Sequence, residues 1–299
     1  MIEHRFSTGG RTILPLSRAS VFFDGLFTTP RLQHPESVAI GPDGWIWTGS
    51  ENGQILRIAP DASAIDEVAS TGGFTLGLAF DGARALFVCD LKHAGVFRLD
   101  LATRSLARFT KPGIVIPNYP LVDRKRGRLL VSDSHNFAQP GPGVWSYDLE
   151  TGEGALWFDK PLVFANGVAL ANDGDAVLVC ETFARRITRI AINADGSAGA
   201  TTVYVDDLPG LPDGLAFDDT GALFIGCYEP SRILRVPAGG GKASVYIEDP
   251  TAHLFAHPTN IAFNGADLYT ANLGRWHITR VETDTFGTPL HLLASGAAP

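Results

Sequence analysis

The stretch GVALANDGDAVLVCE, residues 167–181, decides the fold. Its two runs, GVAL and AVLVCE, are apolar and rich in valine. ANDGD between them supplies the Asn, Asp and Gly that a tight hairpin turn needs at positive φ. Each run is too short for a helical stripe and reads as a buried strand. ITRIAI and TVYVD follow, giving a unit of four strands. Working outward, the same order recurs. SVAI, WIWTG, QILRIA and AIDEVAS form the first unit, and GLAF, ALFVCD, GVFRLD and LARFT the second. PLVD, RLLVSD, GVWSYD and ALWFD form the third. GLAF, ALFIGC, ILRVP and ASVYIED form the fifth, and NIAF, DLYTAN, HITRVE and LHLLAS the sixth. Six units at spacings of about 40–48 residues predict an all-β fold, a six-bladed β-propeller of four-stranded antiparallel blades.

Closure follows from a second likeness within the chain. VFFDGL (21–26) resembles TVYVDDL and ASVYIED, the fourth strands that precede new units. The N-terminal strand is therefore expected to join the last blade beside HLLAS (291–295) and close the ring, which also protects exposed strand edges. Residues 1–19 read as a loosely held arm, and 20–299 as one propeller domain.

One residue stands just before each first strand: Glu36, Leu76, Asn118, Asn166, Asp213 and Thr259. Four of them, Glu36, Asn118, Asn166 and Asp213, are carboxylate or amide oxygen donors that would converge on the axis of a closed ring. In a meander the start of strand one and the end of strand two share a face. The pocket should therefore open toward loops carrying Glu51, His93, His135, Glu181, Tyr228, Glu229 and Arg275. A mixed carboxylate–amide set without sulfur or imidazole suits a hard divalent cation. Calcium fits best because it tolerates irregular oxygen cages, and Mg2+, Mn2+ and Zn2+ are the other candidates. The competing reading is that Asn166-Gly167 and Asp213-Gly214 simply make turns.

Composition narrows the classes. The 299 residues are 45% hydrophobic and 19% charged, with a net charge of −8. An acidic chain disfavours nucleic acid and anionic membrane as partners, leaving a small molecule as the expected one. No apolar run approaches a bilayer span, and MIEHRFSTGGRTILPLSRAS lacks the pattern of a secretory signal. Cys89, Cys180 and Cys227 are odd in number and form no C-x-x-C pair, so buried free thiols and a cytoplasmic setting are expected. Neither a G-x-S-x-G elbow, an H-E-x-x-H pair nor a phosphate-cradling glycine loop is present.

FANGVAL and LPDGLAF, 47 residues apart, with PTNIAF and DLYTAN, resemble the gluconolactonase/regucalcin (senescence marker protein) family. HPESVAI is similar to that family's glutamate segment and PNYPLVD to its asparagine segment, so the resemblance spans residues 21–290. It implies one divalent cation at the bottom of the central pocket and hydrolysis of lactones. Glu36, Asn166 and Asp213 would then be metal ligands, Asn118 a ligand or near neighbour that also meets substrate, and Asp213 the proton-transfer residue. Sugar-lactone members carry an arginine and often an aspartate where this chain has Ile116 and Tyr119. Losing a guanidinium clamp points to a lactone or ester less polar than an aldonolactone.

His135 is the second candidate base, because imidazole titrates near neutrality. It competes with the reading of an ordinary loop histidine. Glu181 and Tyr228 are candidate pocket walls beside Ile116 and Tyr119. Enzymes similar to strictosidine synthase or paraoxonase, and a non-catalytic calcium-binding propeller, remain alternatives.

Overall fold

The computed structural model describes residues 12–288 and consists of six four-stranded antiparallel sheets. The innermost strands are Val38–Ile40, Thr75–Asp81, Pro117–Asp123, Ala165–Leu170, Pro212–Phe217 and Pro258–Asn264. In the first five blades the strands run outward in chain order. Blade six borrows its outer strand. Ala19–Asp24 pairs antiparallel with His277–Glu282, outside Asp267–Asn272 and Pro258–Asn264. The expected closure by the N-terminal strand is therefore observed, while HLLAS lies outside the described residues. Ahead of that strand, the Ile13 and Leu14 amides bond to the carbonyls of Val245 and Tyr246 on the edge of blade five. Apart from strands, only the 3-10 turns Leu16–Arg18 and Arg124–Arg126 occur among the described residues. No helix in them is long and apolar enough to cross a membrane.

Period-two patterning explains why these strands read as nearly continuous apolar runs. Every residue of Ala176–Glu181 is buried. Val177 and Val179 pack toward blade three, whereas Leu178 and Cys180 pack toward blade five. Both faces of a blade meet a neighbour, so successive side chains fill two different cores. Six apolar clusters result, one in each gap between adjacent blades. A fully buried leucine such as Leu178 contributes roughly 1.5–3 kcal/mol by leaving water. Cys89, Cys180 and Cys227 are free and buried in these seams.

Candidate metal and active site

The innermost strands break register at one repeated place. Thr75 pairs with Asp90 but Leu78 with Val88, so Leu76 and Gly77 together oppose a single residue. The same one-residue bulge falls between Pro117 and Pro120, Ala165 and Val168, Pro212 and Leu215, and Pro258 and Ile261. Leu76, Asn118, Asn166, Asp213 and Thr259 thus head five equivalent bulges, a device that re-aims a side chain out of the sheet. Glu36 stands just ahead of Val38–Ile40 in the remaining blade. Glycine follows three of the bulge heads because neighbouring backbones meet there. A Cβ on Gly167 would collide with the Asp213 carbonyl oxygen, and one on Gly214 with Asn260.

Hydroxyls fix which way the amides point. Ser134 Oγ donates to the Ala165 carbonyl (2.7 Å) and accepts from Asn118 Nδ2 (3.1 Å). Thr182 Oγ1 likewise donates to the Pro212 carbonyl (2.8 Å) and accepts from Asn166 Nδ2 (3.2 Å). Asn166 Nδ2 also reaches Asp213 Oδ2 at 3.1 Å. With their nitrogens spent, the amides are left with free oxygens. Asn118 Oδ1, Asn166 Oδ1 and Asp213 Oδ1 are all buried without a hydrogen-bond partner. Orphaned buried acceptors are uncommon, since each forfeits its hydration.

Glu36 and Asp213 are each 4% exposed, and neither forms an ion pair among the described residues. Burial pushes the Asp213 carboxyl up to about 7, against the opposing hydrogen bond from Asn166. Burial, then the Asp213 charge, raises Glu36 well above the usual carboxylate range, with Asn260 opposing. Asn260 Nδ2 donates to the carbonyl and to Oε2 of Glu36, both at 3.0 Å, and its own Oδ1 is buried without a partner. Two mutually repelling buried acids and the orphaned amide oxygens of Asn118, Asn166 and Asn260 fit a cation of oxygen-loving chemistry. No three His, Cys, Asp or Glu side chains gather as a metal cluster among the described residues, so the amide oxygens are indispensable to any such site.

The other expected residues divide. Tyr228 stacks on His257, with ring centroids 4.5 Å apart, and the Asp213 charge is among the causes that raise its hydroxyl, after burial and Glu229. His135 is half-buried at φ 57°, and its Nδ1 is buried without a partner. Ile116 is half-buried beside the ring, its amide held by Asp133 Oδ1 at 2.8 Å.

Glu181 is not a pocket wall. It is fully buried and accepts from the Val163 amide, Thr188 Oγ1 and both Nε and NH2 of Arg186, so its carboxylate braces blade four. Tyr119 also leaves the mouth. It is buried against Gly77 and lines an apolar axial cavity of about 110 Å³ with Leu78, Leu170 and Phe263, toward the opposite face.

Sequence reading missed Ser134, Thr182 and Asn260. The first two lie 16 residues beyond Asn118 and Asn166, an offset that repeats in the sequence. Asn260 occupies the register of Gly77, Gly167 and Gly214, where a side chain stands out.

The fold and the axial carboxylate–amide set thus define a propeller with an oxygen-lined buried centre. Residues 46–273 match the SMP-30/gluconolactonase/LRE-like region, and the chain belongs to that family. Residues 26–58 also match the strictosidine synthase-like N-terminal region. Adipocyte plasma membrane-associated protein Hemomucin of Drosophila melanogaster is 27% identical over 64% of this chain, which spans only 38% of that protein's length. STRICTOSIDINE SYNTHASE-LIKE 6 of Arabidopsis thaliana is 28% identical over 84% of this chain and 79% of its own. The solved structure of a calcium-binding protein, regucalcin, from Agrobacterium tumefaciens superposes with a TM-score of 0.73 at 18% identity. That superposition covers 93% of this chain and 98% of the other, and it is a likeness of fold.

Proposed function

We propose that the protein is a divalent-cation-dependent hydrolase of lactones or related esters less polar than an aldonolactone. The observation that supports this reading is that Asn118 Oδ1, Asn166 Oδ1 and Asp213 Oδ1, on equivalent bulges of three successive blades, are buried without partners, and that the buried Glu36 carboxyl feels the Asp213 charge. Glu36, Asn118, Asn166 and Asp213 would hold the ion, with calcium favoured by the ligand chemistry. When bound, the cation supplies Lewis-acid polarisation of the carbonyl and neutralises developing negative charge.

The chain's own groups do the rest. Asp213, with one oxygen tied to Asn166 Nδ2, takes a proton from the attacking water and returns it to the departing oxygen. His135, on the same face and with an unpartnered ring nitrogen, is the second group able to relay that proton. Asn166 and Asn118, clamped by Thr182 and Ser134, keep their oxygens fixed as charge moves. Ile116 takes the place of a polar clamp and keeps the wall beside the ring apolar.

A second reading, a metal-independent activity like that of strictosidine synthase, draws on the plant relative's extent of overlap. One panel separates the two. Aliphatic, aromatic and sugar lactones are assayed with calcium and with chelator. Calcium-dependent turnover of the first two groups is expected. Full-rate hydrolysis in chelator, or preference for aldonolactones, refutes the proposal.

A further inference from the structure

We propose that Phe137, Phe164 and Phe183 form a subsite for the apolar substituent, alkyl or aryl, of the substrate, an inference that rests on the hydrolase reading above. Phe164 lies between the other two, with ring centroids 4.9 Å from Phe137 and 4.8 Å from Phe183 and interplanar tilts of 40° and 48°. The outer rings are open, Phe137 being 67% and Phe183 47% exposed. An aromatic trio left in water is not core. Contiguous exposed apolar surface of this kind marks a binding site.

Position says what it binds. Phe164 stands two residues before Asn166, at φ 58°, a left-handed conformation uncommon for a bulky side chain. Its carbonyl accepts the Thr182 amide at 3.3 Å, and Thr182 Oγ1 holds the Asn166 side chain. Phe183 directly follows Thr182. Phe137 follows three residues after Ser134, whose hydroxyl holds Asn118. Phe137 and Phe183 therefore hang from the two loops whose hydroxyls aim the axial amides, and Phe164 from the connection that leads into Asn166. Val115, 46% exposed, and Ile116 extend the apolar wall along blade three, three and two residues ahead of Asn118. A carbonyl seated at the axis leaves its substituent facing these rings. Tilted aromatic faces suit a flat ring or a flexible chain and offer no donor to a sugar hydroxyl.

The test measures kcat/KM for γ-butyrolactone and for its γ-pentyl and γ-phenyl derivatives. It compares the wild type, Phe137→Ala, Phe183→Ala and the control Val203→Ser, on the outer strand of blade four. Binding of cyclopentanone and 2-pentylcyclopentanone, which have no ester bond to cleave, is read by calorimetry. The substituted-to-unsubstituted kcat/KM ratio is expected to fall about tenfold in each Phe variant and to hold in the control. The Kd of 2-pentylcyclopentanone should weaken by a similar factor. A larger fall for pentyl than for phenyl assigns the site to alkyl groups, and the reverse to aryl groups. Unchanged ratios and Kd in both Phe variants overturn the proposal, as does equal affinity of the wild type for the two ketones. If the wild type hydrolyses none of the lactones, the hydrolase reading fails, and the ketone affinities alone decide the subsite.

Discussion

Replacing Asp213 with asparagine should make the cation-free protein more stable while abolishing its response to calcium. The carboxyl is buried with no cationic side chain paired to it, and burial drives it from 3.8 to about 7. A difference of about three pH units corresponds to ~4 kcal/mol, at 1.36 kcal/mol per unit. The sign follows from proton counting. Between pH 4 and 7 the folded state keeps a proton that the unfolded chain has lost, so stability falls as pH rises and the full penalty applies at pH 8. Asparagine keeps the shape without the charge. Urea unfolding in chelator at pH 8 should show Asp213→Asn more stable by up to ~4 kcal/mol, with the gap closing near pH 4. Calcium at a hundred times its Kd should add ~2.7 kcal/mol to the wild type and nothing to the variant. A variant that is less stable than wild type in chelator at pH 8, or that keeps the calcium increment, refutes the account of a charge stored for a cation.

Two further substitutions test how the ring is built and what the loop acids do. Gly167→Ala inserts a methyl against the Asp213 carbonyl and must part blades four and five, so a loss of ~3 kcal/mol or more and weaker calcium binding are expected from melting curves; wild-type calcium affinity would contradict the close approach. Glu181→Gln breaks the pair with Arg186 and should cost ~2–3 kcal/mol, below a fully buried pair because Arg186 is partly exposed. The lactone KM should stay at the wild-type value, and a rise of tenfold would return Glu181 to the pocket wall.

The architecture was legible because each strand is short, valine-rich and bounded by Asn-Gly-type turns, and because the pattern repeats six times. Closure was legible for the same reason, since VFFDGL carries the pattern of a fourth strand out of place. The candidate ring could be found by register, but its geometry could not. Bulges arise from pairing between strands, and nothing in FANGVAL alone states that Asn166 and Gly167 face a single partner residue. Orientation of the amides depends on Ser134 and Thr182, which reach into the next blade. Glu181 misled because an acid at the end of a second strand looks alike from sequence whether it faces a pocket or braces a loop. Only its four hydrogen bonds distinguish the two. Tyr119 misled through the same bulge, which turned the residue after Asn118 away from the mouth, against Gly77 and into the apolar cavity.

The repeated bulge has a consequence for how such a centre can change. Because the kink belongs to the strand pairing and not to the side chain it presents, the five bulge heads behave as interchangeable sockets around a fixed shaft. Leu76 heads the same bulge as Asn118, Asn166 and Asp213 yet carries no oxygen, and Thr259 spends its hydroxyl on the Glu36 carbonyl. Donor number and charge at the axis can therefore be rewritten one letter at a time, without moving a strand. Leu76 is the exception among the five, because its side chain also packs in the core between blades two and three, so an oxygen donor there would have to give up apolar contacts that the amide positions never made.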